Sequence, residues 1–412
     1  MNIFPKNTYF FWLITFIFTF QTYSQFDEFG NYPVDSTNQI VVGADRVNTY
    51  LPKLNGKKIA IVANQTSRVN IDSVSFDTTN IDGKTIHLVD LLHELDMDIV
   101  NVFSPEHGFR GKADASEHVA NGKDKKTGIP IISLYGKNKK PTADQMKGLE
   151  LVIFDIQDVG VRFYTYISTL HYVMEACAEH NIPLIVLDRP NPNGHYIDGP
   201  VLEIEHQSFV GKHPVPIVYG MTIGEYAKMI NGELWLANQV QCDLTVIELV
   251  NYTHDSRYHL PVRPSPNLPN DRAINLYPSL GLFEGTTINA GRGTEHQFQR
   301  YGSPYFPKWK FSYVPKANFG AKYPKFKGQR CYGVNLENSA EIGSINLNYI
   351  IDAYTKTPKT KTFFGKTFTI HAGNEELQDQ IVKGKLATDI KKTWQNELRH
   401  FKKIRKKYLI YN

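Results

Sequence analysis

The sequence contains little cysteine, and its three cysteines lie far apart. Cys177, Cys242 and Cys331 form no C-x-x-C pair. A disulfide framework or a zinc knuckle needs closely spaced cysteines, so neither is predicted. Cys177 lies in an apolar helical stretch and is expected to be an inert core residue. The 412-residue chain must then be stabilised by its own hydrophobic core, which its length permits.

Motifs for several common chemistries are also missing. No G-x-G-x-x-G follows a strand, which argues against a dinucleotide cofactor. No G-x-S-x-G nucleophile elbow is present, which lowers the case for an esterase or amidase. His107 lacks a second histidine at ligand spacing. The sequence therefore predicts neither a metal nor a cofactor.

Net charge is small, because 46 basic residues stand against 41 acidic ones. Much of the basic excess lies in residues 399–407, where apolar positions such as Leu398, Phe401 and Ile404 recur at helical spacing. We interpret this segment as a final helix with a packed stripe and a solvated basic face. The alternative is attraction to an anionic polymer. No nucleic-acid partner is predicted.

The N-terminus contains the longest apolar run. Lys6 precedes apolar residues 9–20, and a polar stretch containing Ser24 follows. This run is shorter than the roughly 20 residues that cross a membrane and is typical of a signal peptide. We predict a signal peptide over residues 1–24, a mature start near Gln25, no stable membrane span after cleavage, and a secreted or periplasmic protein. An uncleaved anchor is the alternative.

Strand and helix patterns alternate from about residue 40 to 250. Near-continuous Val/Ile/Leu runs predict strands at 57–63, 99–103, 129–134, 151–155 and 182–187, with helices at 87–95, 143–149, 166–180 and 221–231. This alternation is typical of an α/β fold with a parallel sheet and helices on both of its faces. Prolines then punctuate a stretch of little periodicity. We interpret that stretch as a linker and predict one domain over 38–260 and a smaller α+β domain over 261–412, with helices around 345–354 and 386–408.

Polar clusters follow several of the predicted strands. They are Asn64 after the first, Glu106 and His107 after Phe103, Asp158 with Arg162 after Ile156, and Asp188 with Arg189 after Leu187. Parallel strands bring their carboxyl ends to one edge of the sheet, where open α/β folds bind ligands. A single such aspartate is often only a helix cap. Several together predict a catalytic or binding cleft.

Longer motifs around these positions resemble one bacterial family. They cover residues 104–111 (SPEHGFRG), 154–166 (FDIQDVGVRFYTY), 187–194 (LDRPNPNG), 208–211 (SFVG), 220–225 (GMTIGE), 264–269 (PSPNLP) and 291–294 (GRGT). The chain resembles the NamZ-type exo-β-N-acetylmuramidases over roughly residues 40–412. The resemblance implies that the first domain is a Rossmann-like catalytic domain and that the smaller C-terminal domain completes the cleft between them. It also implies that the protein releases terminal N-acetylmuramic acid from the non-reducing ends of peptidoglycan fragments. These fragments would be its binding partners.

Glycoside cleavage needs an acid for the leaving oxygen and a nucleophile or base on the other face. We expect Glu106 to be the acid, His107 to assist it, and Asp158 to be the second carboxylate, with Glu284 as the next choice. The substrate's N-acetyl group is an alternative nucleophile. Arg162, Arg189 and Arg292 are candidates for gripping the lactyl carboxylate. Further expected substrate contacts are Asn64, Arg110, Tyr164, Asp188, Asn191, Asn267 and Thr294.

A second interpretation keeps the cleft but not the catalysis. A secreted muropeptide-binding protein could use the same carboxylates to orient sugar hydroxyls. Product release on incubation separates the two hypotheses, and we favour the glycosidase.

Overall fold

The apolar runs of the first half form one parallel sheet. The structure is a computed structural model that describes residues 26–32, 39–70, 84–111 and 121–412. The predicted signal peptide lies outside these residues. No helix of the described ranges is long and apolar enough to cross a bilayer.

Strands and helices alternate through most of the described chain. The strands are β1 Ile59–Ala63, β2 Arg68–Asn70, β3 Thr85–His87, β4 Ile99–Ser104, β5 Gly122–Lys123, β6 Pro130–Ser133, β7 Leu151–Asp155, β8 Leu184–Leu187, β9 Asp198–Val201, β10 Pro216–Val218, β11 Leu244–Ile247, β12 Arg300–Ser303, β13 Ser312–Tyr313 and β14 Cys331–Asn335. The helices are α1 Val47–Leu54, α2 Leu88–Glu94, α3 Ala143–Met146, α4 Tyr166–Glu179, α5 Ile223–Gly232, α6 Asp271–Leu280, α7 Asn348–Lys356, α8 Phe368–Ala372, α9 Glu376–Val382, α10 Ala387–Thr393 and α11 Gln395–Lys406.

Within the described residues the main sheet has seven strands in the order β11-β8-β7-β1-β4-β6-β5. All neighbours pair in parallel except the edge strand β5. The chain builds outward from β1 through β4 and β6 on one side, and through β7, β8 and β11 on the other. The strand order therefore reverses at β1, and a crevice opens beyond the carboxyl ends at such a reversal. The predicted α/β class is confirmed.

Both faces of this sheet are buried. In β1, Ala60 and Val62 belong to one hydrophobic cluster, whereas Ile59, Ile61 and Ala63 belong to the other. Successive side chains of a strand point to opposite faces, so apolar residues at every position predict cover on both sides. The first cluster continues into residues after 270. The C-terminal region therefore packs directly against the sheet domain.

Several local features follow from recognisable sequence signals. Thr222 caps α5 in a reciprocal box with Glu225: its side chain accepts from the Glu225 amide, and Glu225 accepts from the Thr222 amide. Leu398 and Phe401 are buried on α11, as the packed-stripe interpretation expects. Cys177, Cys242 and Cys331 are free and buried.

The C-terminal half differs from the prediction in its helices. The stretch predicted as a linker contains α6, which includes Pro278 near its last turn. The single final helix expected over 386–408 is two helices, α10 and α11, separated at Trp394. The buried Trp394 donates through Nε1 to Asp198. This contact with a residue almost 200 positions earlier is invisible to helical periodicity.

Candidate active site

A cavity of about 330 Å³ opens where the C-terminal region meets the carboxyl edge of the sheet. One wall comes from loops of the sheet domain and the other from the C-terminal half. Its lining residues are Glu106, His107, Tyr135, Phe163, Tyr164, Thr165, Tyr166, Phe209, Val210, Ser265, Asn267, Leu268, Tyr277, Glu284, Arg292, Phe298 and His371. Pockets for small ligands occupy roughly 300–1,000 Å³, so this cavity lies at the lower end of that range.

Glu106 and His107 enter the cavity from the turn that follows β4. His107 has a φ of 71°, which costs a non-glycine residue about 1–3 kcal/mol and is typical of functional turns. Its Nε2 lies 3.3 Å from the Ser265 Oγ. Thr165 Oγ1 donates to Glu106 Oε2 over 3.4 Å. The turn thus presents a carboxyl and an imidazole together beyond a buried strand, as predicted.

Aromatic rings form the floor of the cavity. Tyr277 packs edge-on against Phe163, Tyr164 and Phe298, with centroid distances of 5.3, 6.2 and 4.8 Å. Burial raises the pKa of Tyr164, Tyr166 and Tyr277 above that of a free tyrosine. These hydroxyls therefore stay protonated as hydrogen-bond donors, while the ring faces offer apolar surface to a sugar. Of these rings, sequence reasoning proposed only that of Tyr164.

The opposite wall carries an ion pair. Arg292 Nη1 lies 2.6 Å from Glu284 Oε1, and both side chains are about 30% exposed. Lys325 lies beside this pair: its amino group donates to the carbonyls of Phe283, Glu284 and Thr286 over 2.8, 3.2 and 2.5 Å. Burial of that amino group lowers the pKa of Lys325 to about 8, so it is largely charged at neutral pH. Two cations and one carboxylate leave this wall net positive.

Asn267 offers an open acceptor at the same wall. Its Nδ2 donates to the Gly320 carbonyl over 2.8 Å. Its Oδ1 is buried, and among the described residues it has no hydrogen-bond partner. A buried acceptor without a partner is costly unless a ligand donates to it. Asn267 is therefore placed to accept a hydrogen bond from an amide or hydroxyl group.

Asp158 does not line the cavity. Its Oδ2 accepts from the Gly160 amide at 2.8 Å and from the Tyr219 hydroxyl. Burial raises its pKa to about 6. Its charge still acts on Tyr164 and Tyr166 in the cavity wall. Asp158 thus lies behind the tyrosines, and the expectation that it faces Glu106 as the second carboxylate is corrected. The second acidic lining residue in the described chain is Glu284.

The expectation that Arg162 and Arg189 bind the lactyl carboxylate is also corrected, because both guanidinium groups are bound within the protein. Arg162 is fully buried and donates to four backbone carbonyls, those of Pro200, Val215, His371 and Ala372. Arg189 pairs with Asp155 at 2.6 Å. Among the described residues, Arg292 is thus the arginine that lines the cavity.

The remaining predicted contacts hold loops rather than the cavity. Arg110 forms ion pairs with Asp90 and Asp124. The other four form hydrogen bonds within the protein. Asp188 accepts hydrogen bonds from Thr222, Gly224 and Tyr411. Asn64 accepts one from Thr66, Asn191 accepts one from Asn193, and Thr294 donates one to the Gly291 carbonyl. Strand-end polar residues form such hydrogen bonds as often as they bind ligands. Tyr164, Asn267 and Glu284 do line the cavity.

Two of the buried aspartates, Asp158 and Asp188, predict how stability depends on pH. Burial raises the pKa of Asp158 to about 6 and that of Asp188 to about 7. A carboxyl whose pKa is higher in the folded state binds its proton more tightly there. Its contribution is complete below about pH 4 and is lost as pH rises through the folded pKa.

We therefore expect Asp158→Asn to remove the part of this pH-dependent loss of stability that comes from Asp158. Between pH 4.5 and 7.5 the wild type should lose on the order of 2 kcal/mol more free energy of unfolding than the variant. Urea unfolding at the two pH values measures the difference. The exposed Asp98→Asn serves as the control and should track the wild type. Parallel curves for wild type and Asp158→Asn would contradict the expectation.

Comparison with known proteins identifies the family. Residues 59–272 match the family model of the N-terminal domain of "Exo-beta-N-acetylmuramidase NamZ", and residues 275–411 match the family model of its C-terminal domain. The peptidoglycan β-N-acetylmuramidase NamZ of Bacillus subtilis (strain 168) is 38% identical over 391 residues, covering 89% of this chain and 90% of that protein.

Two crystal structures of DUF1343 family proteins from Bacteroides fragilis NCTC 9343 have the same fold. One is 44% identical with a TM-score of 0.81 and covers 91% of this chain and 99% of its own. The other is 27% identical with a TM-score of 0.74 and covers 91% and 100%. The chain therefore belongs to the NamZ family of exo-β-N-acetylmuramidases, and it is a glycoside hydrolase.

Proposed function

We propose that the Glu106 cavity binds the terminal N-acetylmuramic acid at the non-reducing end of a peptidoglycan fragment and hydrolyses its β-glycosidic bond. One observation carries this assignment: Glu106 and the Arg292–Glu284 pair line a single aromatic cavity from the two halves of the chain. Its volume of about 330 Å³ supports an exo mode, because it admits one terminal sugar.

Glu106 protonates the leaving oxygen in this proposal, and His107 assists as its neighbour on the strained turn. On the other face, water attacks the anomeric carbon and gives its proton to Glu284. Alternatively, the substrate's own acetamido oxygen attacks, and the resulting oxazoline is opened by a water that the Glu106 carboxylate deprotonates. Asn267 Oδ1 accepts from the acetamido N–H and thereby orients that group. Asp158 acts as a positioning residue through the cavity tyrosines rather than by contact with the sugar.

The exo mode is tested with defined disaccharides. We expect free N-acetylmuramic acid from the disaccharide that carries this sugar at its non-reducing end. The disaccharide that carries it at the reducing end should give no product. Anomer-resolved detection of the product would also reveal the stereochemical course. Cleavage inside longer glycan strands at a comparable rate would contradict the exo assignment.

Arg292 distinguishes N-acetylmuramic acid from N-acetylglucosamine by binding the lactyl carboxylate. Arg292→Ala should lower kcat/KM on an aryl muramide about 10- to 100-fold, the range for a lost charged hydrogen bond. Arg292→Lys should recover only part, because lysine lacks the planar fork.

The matched control is the same glycoside with its lactyl group as the methyl ester. The wild type should prefer the acid over the ester, and Arg292→Ala should lose that preference. An undiminished preference in the variant would remove Arg292 from carboxylate recognition.

We further propose that the chain is exported and acts outside the cytoplasm. The support is the sequence of its first 24 residues, with Lys6 ahead of a short apolar run. Mass spectrometry of the mature N-terminus should find Gln25 as the first residue. A retained Met1 in the exported protein would contradict cleavage.

A further inference from the structure

Residues 305–330, which we call the rim segment, carry an unusual charge. They contain six lysines and Arg330 but no acidic residue, which leaves 39 basic and 41 acidic residues elsewhere in the chain. The positive net charge of the protein therefore depends on this segment. A basic surface of this density attracts anionic ligands and accelerates their capture at low salt.

The rim segment also exposes large aromatic side chains. Tyr323 is 89% exposed, Trp309 70%, Phe319 55% and Tyr305 39%. Lys361 Nζ lies 4.8 Å from the Tyr305 ring centroid, and Lys327 Nζ lies 5.7 Å from that of Tyr323. Each of these two rings thus has a cation against it. These exposed rings within one short segment offer apolar surface to a ligand.

The segment is fixed at the entrance of the cavity. The Gly320 carbonyl accepts from Asn267 and from Arg292, both of which line the cavity. Beside Arg292, Gly293 has a φ of 83°, and an added Cβ would lie only 2.6 Å from Pro324. The rim segment therefore packs closely on the turn that carries Arg292. A ligand that extends out of the cavity on the side of Arg292 would meet this surface.

We propose that the rim segment binds the part of the peptidoglycan fragment that lies beyond the scissile bond. This proposal rests on the proposed function, because the orientation of the ligand follows from a terminal sugar held at Glu106. The ring faces of Tyr323 and Trp309 pack against the following sugars. The lysines pair with the carboxylates of the stem peptides, which accounts for a surface that is basic as well as aromatic.

The test compares a short and a long substrate. The short one is an aryl N-acetylmuramide. The long one is a tetrasaccharide whose terminal N-acetylmuramic acid keeps a free lactyl carboxylate and whose internal N-acetylmuramic acid carries a stem peptide. Tyr323→Ala combined with Trp309→Ala should lower kcat/KM on the tetrasaccharide about tenfold, chiefly through KM, since buried aromatic contacts dominate such surfaces. The aryl substrate should be turned over within about twofold of the wild-type rate.

A charge variant separates the two contributions. Lys308→Gln, Lys310→Gln and Lys327→Gln together should lower kcat/KM on the peptide-bearing substrate several-fold at low salt, and high salt should erase the difference. The matched control is Lys402→Gln, Lys403→Gln and Lys406→Gln on α11, which packs on β9 and not at the cavity. This control removes the same number of positive charges and should leave kcat/KM on both substrates unchanged. Equal loss on both substrates, or no loss on either, would overturn the proposal.

A binding measurement keeps this proposal separate from the proposed function. Glu106→Gln is cosedimented with insoluble peptidoglycan, alone and combined with the rim variants. Weaker retention of the combined variants supports the rim surface even if no hydrolysis is found with any substrate. Undiminished retention, or tighter binding of a single-stranded oligonucleotide than of the tetrasaccharide, would overturn it.

Discussion

Replacing Glu106 with glutamine is expected to lower kcat on the N-acetylmuramic acid-terminated disaccharide by about 10²–10⁴-fold, the usual contribution of a positioned general acid. Glutamine keeps the size of the side chain and can still accept from Thr165, but it has no proton to give to the leaving oxygen. Substrate binding should change little, so KM should stay near the wild-type value. Steady-state kinetics with resolved kcat and KM measure both parameters.

The leaving group shows whether Glu106 is the acid. Nitrophenolate departs without protonation, so the same variant should lose only about tenfold on a nitrophenyl muramide. A nucleophile would instead be needed for both substrates equally. Exposed Glu248→Gln is the control, and thermal unfolding should show both variants folded. A uniform loss on the two substrates would exclude the acid role, and near-normal turnover would exclude Glu106 altogether.

The sheet was predictable because its strands are apolar at every position. In β1 and β7 the residues on both faces are buried, so a continuous Val/Ile run identifies each strand without knowledge of its neighbours. The turn after β4 was predictable for a related reason. Glu106 and His107 follow a buried strand directly, and the reversal of strand order at β1 puts that edge at the crevice.

The roles of the other strand-end residues could not be read from their positions. Arg189 is paired with Asp155, and Asp188 accepts from Tyr411 at the far end of the chain. Whether a polar side chain binds a ligand or a turn depends on partners more than 30 and more than 200 residues away. The same limit concealed Tyr277 and His371, whose local sequence is ordinary and whose place in the cavity comes from the packing of α6 and α8.

Arg162 is the clearest such case, and it predicts the largest effect on stability. Its guanidinium joins the sheet domain to the end of α8, because it donates to Pro200 and Val215 on one side and to His371 and Ala372 on the other. Burial lowers its pKa to about 9, so the charge is retained at neutral pH. No room remains beside it, since a Cβ on Gly373 would lie 2.4 Å from Nη2.

We expect Arg162→Met to lower the free energy of unfolding by about 3–5 kcal/mol, comparable with breaking a buried ion pair, because buried carbonyls lose their donor. That is a large part of the roughly 5–15 kcal/mol typical of a folded protein. Exposed Arg399→Met is the matched control and should change stability by no more than about 0.5 kcal/mol.

His371 lines the cavity, so loosening α8 should also raise KM on the muramide while the chemistry at Glu106 continues. Urea unfolding and kinetics below the unfolding transition separate the two effects. If Arg162 instead gripped the substrate's lactyl carboxylate, Arg162→Met would keep the stability of the wild type and lose the preference for the acid over its methyl ester. If Arg162→Met lowers stability but keeps the preference for the acid, then Arg162 joins the sheet domain to α8, and Arg292 binds the lactyl carboxylate.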